Sequence, residues 1–542
     1  MNSDVTSTIT IAEEQLRSLG LPIDQGHRLE PLVSDIYALH NSTGTAYLLI
    51  AIGDGLEPDL REVLANSDTV SAGVVLKTDG GVGAALRKSF RTGDIDLTAA
   101  FEPSKSIQSA FQFVSAADDA GGRRLQPLTS RLENVLFEVH SAMRDIDGLH
   151  APDALDEICK LLYAKLFDEE HAVKFGTYRF QRALYHSAEE CAASIRQLYL
   201  DAIGDDEAVF SNRIPAYRRS RGVFRDPIIL SSHALAKVVS LLEEYDLSAS
   251  PVDIKGRAFQ NVLIPATRAG MGQYFTPKTV ISLCVGLLAP TVRDVVVDPF
   301  CGSGHFLTAA LDHVRSVGGY SDKQFHEFAF SRLHGLEKSD RMVRIAMTDM
   351  RLHGDGHSNI RCVDSLLPFA NYADLYPDTF DIVATNPPFG VDLPKEALSE
   401  LGPFNILDAF RSSASSVSLE IVAIERCLSL LRAGGRMAIV LPDGILSNRS
   451  NGHVREWVKR EAAIRAIISL PIETFTPFGA NIKTSVLILR KHQVGEDRSR
   501  QYNVFLADIK SIGHDASGRP TECDDFERLR SEFADFIEVE GW

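Results

Sequence analysis

From about residue 294 onward the chain alternates short apolar runs with helical apolar periods, and that alternation restricts it to a layered α/β architecture. Val295-Val296-Val297 runs into a turn, Asp298-Pro299-Phe300-Cys301-Gly302-Ser303-Gly304, after which apolar residues recur at helical spacing through Leu307, Ala310, Leu311 and Val314. The pattern repeats. Leu333-His334-Gly335-Leu336-Glu337 reads as a second strand, Met342, Ile345, Met347 and Leu352 as a second helix face, and Ile360-Arg361-Cys362-Val363 as a third strand. Such repeats fold into a parallel, doubly wound sheet, because each helix carries the chain back across the sheet before the next strand begins. Further strands are read at 380–385, 436–441 and 464–470, the middle one preceded by a helix over 419–431. The run Thr484-Ser485-Val486-Leu487-Ile488-Leu489 follows Leu470 too closely for a helical crossover and is expected to pair antiparallel. The expected sheet has seven strands, one of them reversed near its end.

At 542 residues the chain is long for a single core, and about two or three domains are expected. With 44% hydrophobic and 24% charged residues it has an ordinary globular composition. No apolar run approaches the roughly 18 residues that a membrane span needs, and Met1-Asn2-Ser3-Asp4 lacks the basic and apolar blocks of a signal peptide. A cytoplasmic location without membrane association is expected. The cysteines, Cys159, Cys191, Cys284, Cys301, Cys362, Cys427 and Cys523, are scattered, with no paired spacing and no histidine nearby at ligand distance. That spacing argues against a disulfide framework or a zinc site. The formal charge of -17 means that any polyanion must meet a local basic patch or be gripped largely by a partner.

Upstream, residues 1–125 read as a small α/β domain. A helical period runs from Ile11 to Leu19, followed by the strand-like Ala46-Tyr47-Leu48-Leu49-Ile50-Ala51-Ile52 and by Ala72-Gly73-Val74-Val75-Leu76-Lys77, closed by Asp79-Gly80-Gly81. A linker, Asp118-Asp119-Ala120-Gly121-Gly122, leads to a helical domain over 126–255, where Leu132, Val135, Leu136, Val139 and Met143, then Ile158, Leu161, Leu162, Leu166 and Phe167, fall at spacings of about three and four. The densest basic run, from Arg213 to Arg225 with Tyr217, Arg218, Arg219 and Arg221 inside it, reads either as a solvated loop or as a contact for nucleic-acid phosphates. The α/β domain proper is assigned to 256–510, and 511–542 to an acidic tail.

The turn at 298–304 lets backbone approach a ligand closely, because Gly302 and Gly304 lack Cβ and the following helix opens with free amides. Asp298 is placed to meet the ammonium group of a nucleoside cofactor, Glu337 to accept both ribose hydroxyls, and Asp364 to accept from an adenine amino group. Acids at three successive strand ends are a stronger signal than the glycines, which many nucleotide folds share. Asn386-Pro387-Pro388-Phe389 begins 88 residues after Asp298 and follows a buried strand. An exocyclic amine on a purine is a feeble nucleophile, since its lone pair is delocalised into the ring. Two acceptors on its hydrogens, the Asn386 side-chain oxygen and the Pro387 carbonyl, would favour the pyramidal form, while the prolines stiffen the loop and Phe389 offers a face for an extruded base. The two loops together point to methyl transfer to an exocyclic amine, with no metal required. Gly272-Gln273-Tyr274-Phe275-Thr276-Pro277 precedes a helix expected near Lys278, with Thr276 as its cap.

With these motifs in this order the chain resembles the adenine-specific DNA methyltransferases, and within them the modification subunits of type I restriction-modification systems, over roughly residues 130–492. The likeness is densest at 272–277, 298–307, 386–390 and Leu441-Pro442-Asp443-Gly444. It implies a Rossmann-like, seven-stranded methyltransferase sheet with an amino-terminal helical domain, the extra small α/β domain being additional. It also implies S-adenosyl-L-methionine as cofactor, with Tyr274, Phe275, Thr276, Asp298, Phe300, Gly302, Gly304, Glu337 and Asp364 contacting it and Asn386, Pro387, Pro388 and Phe389 forming the catalytic loop. The helices of 130–250 resemble that subunit's bundle for partner and DNA. Two positions depart from the family's usual pattern, which has a small residue at Phe300 and glycine at His305; His305 is read as a helix-face residue rather than a general base. The first 125 residues are similar in strand order to amino-terminal domains of restriction subunits. They lack the acid placed two positions before a lysine that such nucleases need, and are read as a non-catalytic interaction domain.

No target-recognition domain is evident, since only about 22 residues separate Asp364 from Asn386 and residues 511–542 carry Asp515, Glu522, Asp524, Asp525, Glu527, Glu532, Asp535, Glu538 and Glu540 against Arg519, Arg528 and Arg530. The expected partners are therefore double-stranded DNA and a separate specificity subunit, with a restriction nuclease subunit as a further candidate. The leading expectation is a DNA adenine N6-methyltransferase subunit of a restriction-modification or related phage-defence system. Methylation of RNA or of a protein glutamine, and a non-enzymatic DNA-sensing or assembly component that keeps the pocket, stay open as alternatives.

Overall fold

The computed structural model describes residues 28–33, 35–40, 46–66, 72–77, 82–88, 95–97, 126–127, 132–175, 178–213, 224, 226–247, 259, 276–353, 359–372, 374–398, 400–409, 415–515, 519, 521 and 525–542. The chain forms two compact units, one of 1–150, 160–206 and 227–254, the other of 151–159, 207–226 and 255–542.

The second unit is built on a mixed sheet of eight strands: β1 (Val296–Asp298), β2 (Leu333–Glu337), β3 (Ile360–Cys362), β4 (Phe380–Thr385), β5 (Leu431–Pro442), β6 (Ala462–Ser469), β7 (Thr484–Lys491) and β8 (Phe505–Asp508). Their spatial order is β3-β2-β1-β4-β5-β7-β6-β8. From β3 to β5 all neighbours are parallel. β7 runs antiparallel to both β5 and β6, as its closeness to the preceding strand required. The unit's longer helices are α1 (Lys278–Leu288), α2 (His305–Val317), α3 (Asp340–Leu352), α4 (Leu419–Leu430), α5 (Gly452–Glu461) and α6 (Asp525–Glu540). Strands buried on both faces need no polar alternation. Accordingly Val297, Val383, Ile439 and Leu487 pack in one core with Ile421, Val422 and Leu428 of α4.

The sheet has eight strands rather than the seven expected. β8 pairs parallel with β6, from Ala466 opposite Phe505 to Ser469 opposite Asp508, and closes that edge. It escaped the sequence reading because an edge strand is half-exposed and its four residues, Phe505 to Asp508, are too few to display a period. The acidic segment expected as a tail contains α6, whose Phe526, Leu529 and Phe533 are buried. Its Arg530 donates to Ser282 Oγ on α1 at 2.9 Å.

In the first unit, six strands at 28–33, 36–40, 46–52, 72–76, 82–88 and 95–97 lie in sequence order. All neighbours are antiparallel except 46–52 and 72–76, which are parallel and joined by the helix Glu57–Asn66. Leu60 and Leu64 of that helix pack on Leu49, Ala51 and Val75. Most residues of the helices Leu132–Asp147, Ala151–Phe175, Ala188–Arg213 and Ser232–Leu242 belong to the same unit. The predicted helix at Ile11 to Leu19, the linker 118–122, Tyr274, Phe275 and most of the basic run between Arg213 and Arg225 lie outside the described residues. Among the described residues no helix is long and apolar enough to cross a membrane.

Candidate active site

β1 ends at Asp298, and the turn to α2 depends on two backbone positions that favour glycine: Gly302 at φ 51° and Gly304 at φ 83°. A Cβ on Gly304 would lie 3.2 Å from that of Ala346 on α3, so a side chain here would be crowded as well as strained. Asp298 is 1% exposed. Its Oδ1 accepts from the Phe300 amide at 3.0 Å and from Thr385 Oγ1 at 2.5 Å. Its Oδ2 is buried with no hydrogen-bond partner among the described residues. Burial pushes the carboxyl up to about 7, against the pull of the Thr385 and Phe300 hydrogen bonds and with a further push from the Glu337 charge.

Glu337, at the end of β2, accepts the Gly302 amide at 3.2 Å and the Ser339 amide at 2.8 Å, which sets its carboxylate beside the glycine turn. Asp364 accepts the Leu366 amide through Oδ1 and the exposed Lys338 ammonium through Oδ2, each at 3.0 Å. Neither acid is among the residues of the cavity, whose lining includes Thr276, Asp298, Phe300, Gly302 and Asn386. The empty space at the cavity, open solvent included, is about 400 Å³.

Asn386 follows β4 directly and lines the cavity. Nδ2 donates to Thr276 Oγ1 at 2.8 Å, while Oδ1 is buried with no hydrogen-bond partner among the described residues. Thr276 is thus not the cap of α1: the residue before the helix is Pro277, and no side chain caps it. The catalytic-loop candidates are held at both ends. Thr385 binds Asp298, and the Gly390 amide donates to Glu420 Oε1 at 2.8 Å, with Gly390 at φ 69°. Pro387 is buried and Pro388 exposed. Phe389, expected to offer a face to an extruded base, is 7% exposed and meets Phe475 edge to face, centroids 5.3 Å apart. That contact fixes the ring's orientation, and Phe475 is a residue the sequence reading did not single out.

His305, the first residue of α2, also lines the cavity, beside Ser303 and Met342. Its Nδ1 lies 3.2 Å from Ser303 Oγ and its Nε2 3.8 Å from Asp349 Oδ2. Burial pulls its pKa down to about 3, with the His353 and Lys278 charges acting in the same direction, so the ring is neutral and does not act as a cation. Ser303 was legible as a member of the glycine turn; Met342, which arrives from α3, carried no signal beyond its place on an apolar helix face.

The residues fit a ligand that carries a cation and offers N–H groups to acceptors. Two buried acceptor atoms, Asp298 Oδ2 and Asn386 Oδ1, are unspent at one cavity, next to the amino-terminal end of α2.

The chain matches the family profile of the N-6 DNA methylases over residues 253–542. The EcoEI type I restriction enzyme methylase subunit of Escherichia coli is 27% identical over 384 residues, which cover 67% of this chain and 75% of that protein. The EcoKI methylase subunit of Escherichia coli strain K12 is 31% identical over 268 residues, so the match spans 45% of this chain and just under half, 46%, of that relative. Among solved structures, a chain from a type I R-M system superposes with a TM-score of 0.57 at 18% identity, covering 77% of this chain and 85% of that one, which is a likeness of fold. Since the profile takes in more than half of its residues, the chain belongs to the N-6 DNA methylase family.

Proposed function

We propose that this chain is the methyl-transferring subunit of a DNA adenine N6-methyltransferase in a restriction-modification or related phage-defence system, with sequence specificity supplied by a separate subunit and a nuclease subunit as a further companion. The observation that carries the reading is the pair of unspent buried acceptors, Asp298 Oδ2 and Asn386 Oδ1, on one cavity. When bound, S-adenosyl-L-methionine supplies an electrophilic methyl group. Asp298 is suited to its ammonium group, Phe300, Gly302 and Gly304 to close passage of its body, and Glu337 and Asp364, at the next two strand ends, to its ribose and adenine. Tyr274 and Phe275 are assigned to it by family likeness alone.

Asn386 Oδ1 and the Pro387 carbonyl accept the two hydrogens of the target amine. They draw its lone pair out of conjugation, and they stabilise the positive charge that grows on nitrogen as it attacks. After transfer the surplus proton leaves to solvent. Phe389, braced by Phe475, flanks the base with the stiff Pro387-Pro388 backbone. The names of the matched relatives, methylase subunits of type I restriction enzymes, support the setting. The charge of -17 supports a partner that shares the grip on DNA.

The test is to incubate the full chain, alone and with the products of neighbouring genes, with labelled cofactor and DNA, RNA or protein. Label is expected in N6-methyladenine of DNA, and Asn386→Ala is expected to cut the rate by about 10² to 10³ while cofactor binding persists. Label in RNA or in glutamine would redirect the assignment. Cofactor binding without an acceptor in any mixture would make the pocket a sensor.

A further inference from the structure

We propose that Thr276 is a positioning residue, which holds the plane of the Asn386 carboxamide; this rests on the reading of Asn386 given above. The two side chains line the same cavity and are joined by the 2.8 Å bond from Asn386 Nδ2 to Thr276 Oγ1. The other arm of that planar group, Oδ1, is the buried acceptor with no hydrogen-bond partner among the described residues.

A carboxamide has a donor end and an acceptor end, and its terminal torsion is broad and roughly two-fold. Left unanchored, the group swings through that well, and its turned-over form would present NH₂ to an incoming amine, donor against donor. Tying Nδ2 to Thr276 fixes the plane in which Oδ1 meets the amine. A cationic ligand in the cavity then selects the oxygen-inward form, since it repels the NH₂ end.

Thr276 is itself restrained. It precedes Pro277, and a residue before proline is steered away from helical backbone angles. The helix start lies at Pro277, with no side-chain cap. The threonine hydroxyl, which at many helix starts would cap, is instead spent on a residue 110 positions later. The bond also ties the segment entering α1 to the loop after β4, so the amine acceptor is set by an element distant in sequence from its own loop.

Two measurements test this. In the deuterated full chain labelled with ¹⁵N-asparagine, the Asn386 side-chain NH₂ signal is identified by its loss in Asn386→Ala. Its solvent exchange should quicken by about 10-fold or more in Thr276→Val and return to the wild-type rate in Thr276→Ser. An unchanged rate in the valine variant overturns the inference. In methyl transfer, Thr276→Val should lower kcat roughly 10- to 100-fold, with cofactor Kd held within about two-fold and serine restoring the rate. A Kd that weakens in step with the loss of rate would make Thr276 a cofactor contact and overturn the inference. If the wild-type chain methylates no DNA in any mixture, the functional reading fails, while the exchange measurement still decides the role of Thr276.

Discussion

Thr385 and Asp298, 87 residues apart, share a 2.5 Å hydrogen bond between two buried side chains at the adjacent ends of β4 and β1. The bond ties the end of β1, where the glycine turn begins, to the strand that leads into the Asn386 loop, and it commits one carboxyl oxygen while the other is left without a hydrogen-bond partner among the described residues.

Thr385→Val keeps the shape of the side chain and removes the donor. The folded protein should lose about 1–3 kcal/mol, measured by denaturant titration, because a buried acceptor is left short of a partner. The carboxyl pKa should rise further, since the threonine bond holds it down. Cofactor affinity near neutral pH should therefore fall, which calorimetry can read.

Asp298 also makes the protein respond to pH. Its carboxyl sits at about 7 when folded and near 3.8 as a free side chain, so between those values the folded state holds more of this proton than the unfolded state. The contribution of this group to stability is greatest below about 3.8 and declines as the pH rises towards about 7. Affinity for a cationic cofactor runs the other way and should rise from about pH 6 to about pH 7.5, with proton release on binding. Asp298→Asn should flatten both profiles and raise Tm at alkaline pH while binding weakens. A binding profile unaltered by this substitution would remove Asp298 from the ammonium site.

Gly304→Ala tests the turn. At φ 83°, with a new Cβ 3.2 Å from that of Ala346, alanine is strained in its backbone and crowded in its side chain. A loss of about 1–3 kcal/mol is expected, with cofactor affinity falling as the turn and the end of α2 shift. Thermal unfolding with and without cofactor separates the two effects.

Phe475→Leu should loosen the ring of Phe389 without emptying the site. Phe475 is fully buried, so a destabilisation of about 1–3 kcal/mol is expected from imperfect filling. Methyl transfer should fall more than cofactor binding, because the substitution releases a wall of the acceptor site and leaves the glycine turn untouched.

The order of strands and the two loops were legible because they depend on local pattern: β-branched runs, helical spacing and glycine where φ is positive. The reversed β7 was legible from chain length alone, since too few residues follow 470 for a crossover. β8 was not, because its four residues owe their strand conformation to the ladder with β6 rather than to their own periodicity. The cap assigned to Thr276 followed a sound local rule, and a partner 110 residues away overrode it. The burial of Phe389 is equally non-local, as Phe475 enters from the connection between β6 and β7. Asp298, Phe300, Gly302, Thr276 and Asn386 do meet at one cavity, whereas Glu337 and Asp364 stand at neighbouring strand ends outside its lining.

The insertion of β7 between β5 and β6 carries a consequence for biogenesis. As the chain leaves the ribosome, β5 has only β4 beside it, and β6 has no ladder partner among β1 to β5. The sheet can be completed only when residues 484–491 emerge and slide into the gap. A nascent or prematurely terminated product ending before that point leaves one edge of β5 and both edges of β6 bare, the kind of surface that chaperones bind and that aggregates grow from.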